Sequence, residues 1–105
     1  MIKVKIIKNN EQILEMKVTG HANSAEYGKD LVCAGVSTIC IGIANALVQY
    51  HFLEGNDIEV KEGYVHIKVN RSSHDIQVVL ETFEVMLDTI EESYSKYIKI
   101  TKMEV

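Results

Sequence analysis

The residue best suited to chemistry is Cys33, because of the helix start predicted just before it. Asp30 stands where the N-cap of a long apolar helix over 31–50 is predicted. That start would place Cys33 in the first helical turn, where unpaired backbone N–H groups and the positive end of the helix dipole favour a thiolate. The thiolate is the nucleophilic form of cysteine. The spacing therefore makes Cys33 a candidate nucleophile, and the alternative, a small cysteine buried under the helix start, is the more frequent outcome for a free cysteine.

His21 is the candidate base for this thiol. It comes directly after Gly20, which ends a predicted strand, and it begins a stretch up to Asp30 that has no periodicity. A strand end and a helix start can meet at one edge of a sheet, and His21 could there accept the proton of Cys33. A loop of this length in so small a domain is often functional, although an exposed histidine on a plain surface connection is the alternative.

Two more side chains lie on the same side of the predicted helix. Ser37, one turn after Cys33, either donates a hydrogen bond into the site or bonds back to a helix carbonyl. Cys40 lies two turns on, with its Cα about 10 Å from that of Cys33, which is beyond disulfide reach. We therefore assign Cys40 to the core. These residues lack the paired short spacings of a zinc site, so we expect no metal and no cofactor.

Composition narrows the class of protein. The chain has 105 residues, which fits one domain, and 15 acidic against 11 basic residues give a net charge of -4. That balance argues against a nucleic-acid partner, whose affinity comes mostly from Lys and Arg. We predict no apolar run of the ~18 residues that a bilayer requires, hence no membrane partner. Two cysteines without a signal peptide favour a reducing, cytoplasmic location.

Alternating apolar residues predict two hairpins. The first joins residues 2–8 to residues 14–19 through a turn at Asn9 and Asn10. The second joins a short strand around Ile58 and Val60 to a return strand through Glu62 and Gly63. In the second strand of the first hairpin, the side chains predicted to point inward are those of Leu14, Met16 and Val18.

Two helices and a last strand complete the pattern. Residues 31–50 are apolar nearly all round and predict a buried helix, in which Gly35 and Gly42 let a neighbouring element approach closely. Residues 74–94 are amphipathic, with a capping box predicted at Ser72 and Asp75. An edge strand follows over residues 97–103. The order β-β-α-β-β-α-β predicts an α+β single domain whose mostly antiparallel or mixed sheet carries two helices packed on it.

Two blocks of the sequence resemble a known family. Gly20-His21-Ala22, followed by Tyr27-Gly28-Lys29-Asp30-Leu31-Val32-Cys33-Ala34-Gly35-Val36-Ser37, closely resembles the signature of the ribosomal-processing cysteine protease family. The length and the predicted elements around both blocks match as well. The resemblance implies a single cysteine protease domain over 1–105. It also implies a cytoplasmic bacterial endopeptidase, usually a homodimer, that removes the N-terminal extension of large-subunit ribosomal protein twenty-seven.

The resemblance also implies roles for particular residues. The family's histidine and cysteine fall on His21 and Cys33, which would act through a thioester. Asp30 and Ser37 match further signature positions as possible supporting residues, with Asp30 either capping the helix or orienting His21. If Asp30 caps the Cys33 N–H, that group is lost as an oxyanion donor.

Residues 22–29 would form a loop that closes over the peptide substrate. The residues we assign to it are Ala22, Asn23, Tyr27 and Gly28. Asn23 and Ser24 stand where many members of the family have glycine. This departure bears on how mobile the loop is, and not on the identity of the cysteine and histidine. The alternative function is a non-catalytic dimeric module that binds a ribosomal or ribosome-assembly partner while Cys33 is merely buried. A redox-sensing thiol is a third possibility.

Overall fold

A five-stranded mixed sheet carries two helices on one of its faces. The computed structural model describes residues 1–20 and 27–105, with side chains in the second range from Leu31 onward. Its elements are β1 (Ile2–Asn9), β2 (Gln12–Thr19), α1 (Tyr27–Gln49), β3 (Asp57–Lys61), β4 (Tyr64–Lys68), α2 (His74–Tyr94) and β5 (Ile98–Glu104). The strand order is β3-β4-β2-β1-β5, and β5 runs parallel to β1 while the other pairs are antiparallel. The predicted α+β class and element order are confirmed.

The first hairpin contains a bulge that alternation did not reveal. Its turn is formed by Asn10 and Glu11, both with positive φ, one residue later than predicted. The register passes from Ile7 opposite Glu15 to Lys8 opposite Ile13, so Leu14 is the extra residue of β2. The bulge turns Ile13 into the core, where it is fully buried, and leaves Leu14 half-buried. The prediction that Leu14 points inward is wrong for this reason.

Gln77 of α2 binds the backbone at this bulge. Its side-chain oxygen accepts from the Ile13 N–H at 2.8 Å, and its side-chain nitrogen donates to the Ile13 carbonyl at 2.9 Å. A buried amide thus satisfies both backbone groups that the interrupted ladder would leave unpaired. The bulge and the docking of α2 are therefore coupled.

Helix α1 differs from its prediction at its start. It begins at Tyr27 rather than at Leu31, so Asp30 lies inside the first turn and is not the residue that precedes the helix. The predicted N-cap at Asp30 is wrong. The sequence from Tyr27 to Lys29 lacks apolar periodicity, which hid the first turn from pattern analysis.

The exposure of α1 also differs from its prediction. One side packs in the core through five buried residues: Val32, Val36, Cys40, Ile43 and Leu47. The other side leaves Leu31, Ile41 and Val48 about half exposed, so the helix is not buried all round. A Cβ added at Gly35 or Gly42 would meet nothing within 4 Å, which makes the predicted close approach wrong for the part of the chain described. The segment Leu31–Gln49 is also long and apolar enough, by composition alone, to cross a membrane, contrary to our expectation.

Helix α2 spans the predicted residues, His74–Tyr94. Its N-cap is Ser73, whose hydroxyl accepts from the Ile76 N–H at 3.2 Å, and not the predicted Ser72. The Ser72 hydroxyl instead accepts from the side chain of Gln77 at 2.9 Å.

An ionic cluster joins α2 to the sheet. The buried Glu84 carboxylate lies 2.8 Å from the Lys8 ammonium and 3.1 Å from that of Lys102, which also contacts Asp88 at 2.9 Å. Burial raises the pKa of Glu84, but the hydrogen bonds from Lys8 and Lys102 outweigh it and hold the pKa below its ordinary value of 4.5. The charged carboxylate of Glu84 therefore stabilises the folded state.

Candidate active site

An open groove of about 510 Å³ runs between α1 and one end of the sheet. The α1 wall consists of Cys33, Val36, Ser37, Cys40 and Ile41. The sheet wall consists of Ile2, Val18, Gly20 and residues 60–65 of the β3–β4 hairpin. Sequence analysis missed the hairpin wall, because only the antiparallel pairing of β4 with β2 brings it beside α1. The groove has an apolar floor and a thiol in its wall.

Cys33 is half-buried and lies in the second turn of α1. It is the seventh residue of the helix, so its N–H belongs to the helical ladder and is not one of the unpaired first four. The predicted position in the first turn is therefore wrong, and the Cys33 N–H is excluded as an oxyanion donor. The helix dipole acts mainly within the terminal turn. A thiol at this position needs a neighbouring base for its activation.

Cys40 shows what the same side chain does in the core. It is 4% exposed, which confirms its assignment to the core. Burial raises the pKa of its thiol to about 11. Cys40 is thus a protonated, inert thiol within the same helix, and it provides an internal comparison for Cys33.

Gly20 fixes the backbone directly before His21. It has a φ of +98°, and a Cβ at this position would lie 2.5 Å from the Met1 carbonyl oxygen. Its N–H donates to the Gly63 carbonyl at 3.0 Å, which ties the end of β2 to the β3–β4 turn. Gly20 and Cys33 line the same groove, so the strand that leads into His21 ends at the groove that contains the thiol. His21 itself lies outside the described residues.

The remaining predicted site residues separate into three groups. Ser37 is exposed and lines the groove one turn after Cys33. Tyr27, Gly28 and Asp30 belong to the first turn of α1, so the prediction that Tyr27 and Gly28 form part of a loop is wrong. Ala22 and Asn23 lie outside the described residues.

No metal-binding cluster occurs among the side chains that the structure describes: no three His, Cys, Asp or Glu residues there come together.

A partly buried thiol facing an open apolar groove, on a two-layer α+β fold, is the arrangement expected of a cysteine peptidase. The chain belongs to the cysteine protease Prp family, whose sequence model matches residues 1–99. The ribosomal processing cysteine protease Prp of Staphylococcus aureus strain Mu50 is 38% identical over 104 residues, covering 95% of this chain and 97% of the relative. The protein of the same name from Bacillus subtilis strain 168 is 35% identical over 108 residues, covering 96% of each chain.

A solved structure agrees with this membership. The crystal structure of the essential ribosomal processing protease Prp from S. aureus, in complex with a covalently linked product peptide, superposes with a TM-score of 0.80. It is 36% identical in sequence, and the match covers 97% of this chain and 99% of that one. The chain described here is therefore a cysteine peptidase, and the alternative of a non-catalytic module does not apply to its family.

Proposed function

We propose that this protein is a cytoplasmic endopeptidase that removes the N-terminal extension of large-subunit ribosomal protein twenty-seven. The observation that carries the proposal is the shared groove of Cys33 and Gly20, since Gly20 directly precedes His21. Relatives named as ribosomal processing proteases support the choice of substrate.

In the proposed mechanism, His21 accepts the proton of Cys33, and the thiolate attacks the scissile carbonyl carbon. The tetrahedral intermediate collapses to a thioester when the C–N bond breaks, and His21 returns the proton to the leaving amine. A water molecule, deprotonated by His21, then hydrolyses the thioester and restores the free thiol. The reaction needs no metal, cofactor or nucleic acid.

His21 carries more of the activation than the sequence suggested. Cys33 lies about 9 Å along the axis from the start of α1, so the dipole contributes little to its thiolate. Loss of the base is therefore expected to leave an ordinary, slowly reacting thiol. In this mechanism Asp30 would accept a hydrogen bond from His21 and so orient it, and Ser37 would donate a hydrogen bond into the site.

The groove suits an extended peptide with apolar side chains. Val18, Val36 and Val65 form a buried apolar floor, and Ile41 and Val60, both about half exposed, give the two walls apolar surface. Apolar side chains of a bound peptide would remove these exposed walls from water, which supplies most of the binding energy in such grooves.

A homodimer is part of the proposal, and the exposed side of α1 supports it. Six exposed residues recur in two series seven residues apart: Leu31, Thr38 and Asn45, and Ala34, Ile41 and Val48. This spacing is that of a helix–helix seam. A second copy seated there would border the groove, since Ile41 belongs to both. Light scattering of Val48→Glu tests it: the variant should be monomeric, and an unchanged mass would exclude this seam.

The first experiment is intact-mass spectrometry of the extended ribosomal protein after incubation with the wild-type chain under reducing conditions. We expect loss of one N-terminal peptide with wild type and with Cys40→Ala, and no cleavage with Cys33→Ser. Cys40→Ala is the matched control because it removes the other thiol of the same helix. A substrate left intact by wild type would refute the proposed substrate. Cleavage by Cys33→Ser would refute the nucleophile.

A further inference from the structure

The face of the sheet opposite the helices concentrates positive charge. We define this open face as the side chains of the five strands that point away from α1 and α2. It carries six of the chain's eleven basic residues, which are Lys3, Lys5, Lys17, Lys61, Lys68 and Lys99. Its three carboxylates, of fifteen in the chain, are Glu15, Asp57 and Glu59. The net charge of -4 therefore conceals one strongly basic surface.

Four lysines at the centre of the open face oppose one another. Lys5 lies directly opposite Lys17 in the β1–β2 pairing, and Lys3 lies beside Lys99 in the β1–β5 pairing. All four are exposed, and within the described residues none has a carboxylate partner within ion-pair distance. Like charges directly opposite each other destabilise a sheet. Among the described residues no ion pair offsets this repulsion, whereas a bound polyanion would.

The carboxylates of the open face are engaged elsewhere. Glu15 pairs with His66 at 2.7 Å, and Glu59 pairs with Lys61 at 2.6 Å at the β3 edge. Asp57 accepts from the side-chain amide of Asn70 at 3.2 Å. None of the three pairs with a central lysine, so these lysines remain available to a ligand.

We propose that the open face binds RNA, with the four central lysines contacting its phosphate backbone. Lysines two residues apart on a strand are about 7 Å apart and neighbouring strands about 4.8 Å, which gives a flat grid of positive charge for a flexible phosphate chain. Tyr64 lies on the same face, with the Lys17 ammonium 5.5 Å from its ring centre, and it offers an aromatic ring on which a base can stack. A lipid surface fits less well, because the apolar side chains of this face, Ile7 and Met103, lie side by side at one end of it, beyond the four lysines.

RNA on the four central lysines would not cover Cys33, because the thiol lies on the helix side of the molecule. Lys61 and Tyr64 line the groove as well as the open face, so a base stacked on Tyr64 would lie at the rim of the groove. The expectation of no nucleic-acid partner relied on net charge alone, and the arrangement of the charges now argues against it. A peptidase that processes a ribosomal protein works beside RNA, so the open face would hold the enzyme near its substrate. Only this last consequence rests on the proposed function.

The test is fluorescence anisotropy with a labelled single-stranded RNA of mixed sequence and about 20 nucleotides, longer than a typical single-strand site. Four phosphate contacts predict a salt slope of about -2.8, so affinity should fall about 50-fold between 50 and 200 mM salt. In Lys5→Gln/Lys17→Gln the slope should halve, and the same salt step should cost only about sevenfold. The melting temperature of this variant should be unchanged or raised, because it removes a repulsive pair.

The matched control is Arg71→Gln/Lys96→Gln, which removes the same charge from the loops before and after α2. It should retain the wild-type slope. The proposal is overturned if the Lys5/Lys17 variant keeps the wild-type affinity and slope, or if the control loses as much. Binding to phosphatidylserine vesicles without binding to RNA would overturn it too. Cleavage of a short free peptide should be equal in all three proteins, so failure of the RNA proposal is distinguishable from failure of the proposed peptidase function.

Discussion

Replacing Gly20 with alanine tests whether the end of β2 positions the catalytic base. The new Cβ would lie 2.5 Å from the Met1 carbonyl oxygen, at a φ of +98° that side chains rarely adopt. The strained backbone costs about 1–3 kcal/mol, and losing the hydrogen bond to Gly63 costs about 1 kcal/mol more. We therefore expect Gly20→Ala to lower the free energy of unfolding by about 3 kcal/mol. The melting temperature should fall by about 10–20 °C.

Urea unfolding and peptide cleavage, measured on the same variants, separate an effect of Gly20→Ala on the position of His21 from its effect on the free energy of unfolding. The matched control is Gly42→Ala, where nothing lies within 4 Å of the new Cβ and alanine should add about 1 kcal/mol through helix propensity. Gly20→Ala should also cleave peptide slowly at temperatures where it is fully folded, because the residue before His21 has moved. If Gly20→Ala unfolds and cleaves like wild type, the Met1 contact does not constrain this strand end and the reasoning fails.

Two further predictions concern titratable groups. Iodoacetamide near neutral pH should modify Cys33 and not Cys40. Burial raises the pKa of Cys40 to about 11, so Cys40 has about 100-fold less thiolate than a cysteine with the ordinary pKa of 9.0. His21→Ala should slow the labelling of Cys33, and equal labelling of both thiols by peptide mass spectrometry would contradict the assignment. Glu84→Gln should lose about 2 kcal/mol at neutral pH in urea unfolding. Since the folded state lowers the pKa of Glu84, the stability that its carboxylate contributes is present above pH 4.5 and is lost as the pH falls through the pKa of the folded state. The free energies of unfolding of wild type and Glu84→Gln should therefore converge in acid. A difference that stays constant with pH would count against an ionised carboxylate.

Elements with a strong period were predictable from the sequence, and irregular ones were not. The apolar stripe of α2 gave its bounds to the residue, because burial on one side leaves a 3.6-residue pattern. The bulge at Leu14 breaks the period of two through a single residue, and the amide of Gln77 that satisfies it comes from a distant helix. The sequence of β2 alone does not indicate that a glutamine from α2 binds its backbone.

The site was predictable in its chemistry and less so in its surroundings. Residue types and spacing singled out Cys33 over Cys40, and the core position of Cys40 agrees. The start of α1 at Tyr27 was hidden by a polar, glycine-containing first turn, which changed the argument about activation of the thiol. The apolar surface of α1 looked like core because hydrophobicity in one sequence does not distinguish a buried side from an exposed one.

The parallel pairing of β1 with β5 joins the first strand to be synthesised to the last one. Ile2 forms part of the groove wall, and its N–H donates to the Tyr97 carbonyl at 2.9 Å, immediately before β5. A chain emerging from the ribosome can form both hairpins and α1 from nearby residues, but this contact must wait for the last strand. The described residues that line the groove all lie between Ile2 and Val65, so an unfinished chain can contain the nucleophile and the groove residues but lacks the hydrogen bond that fixes Ile2 to the end of the chain.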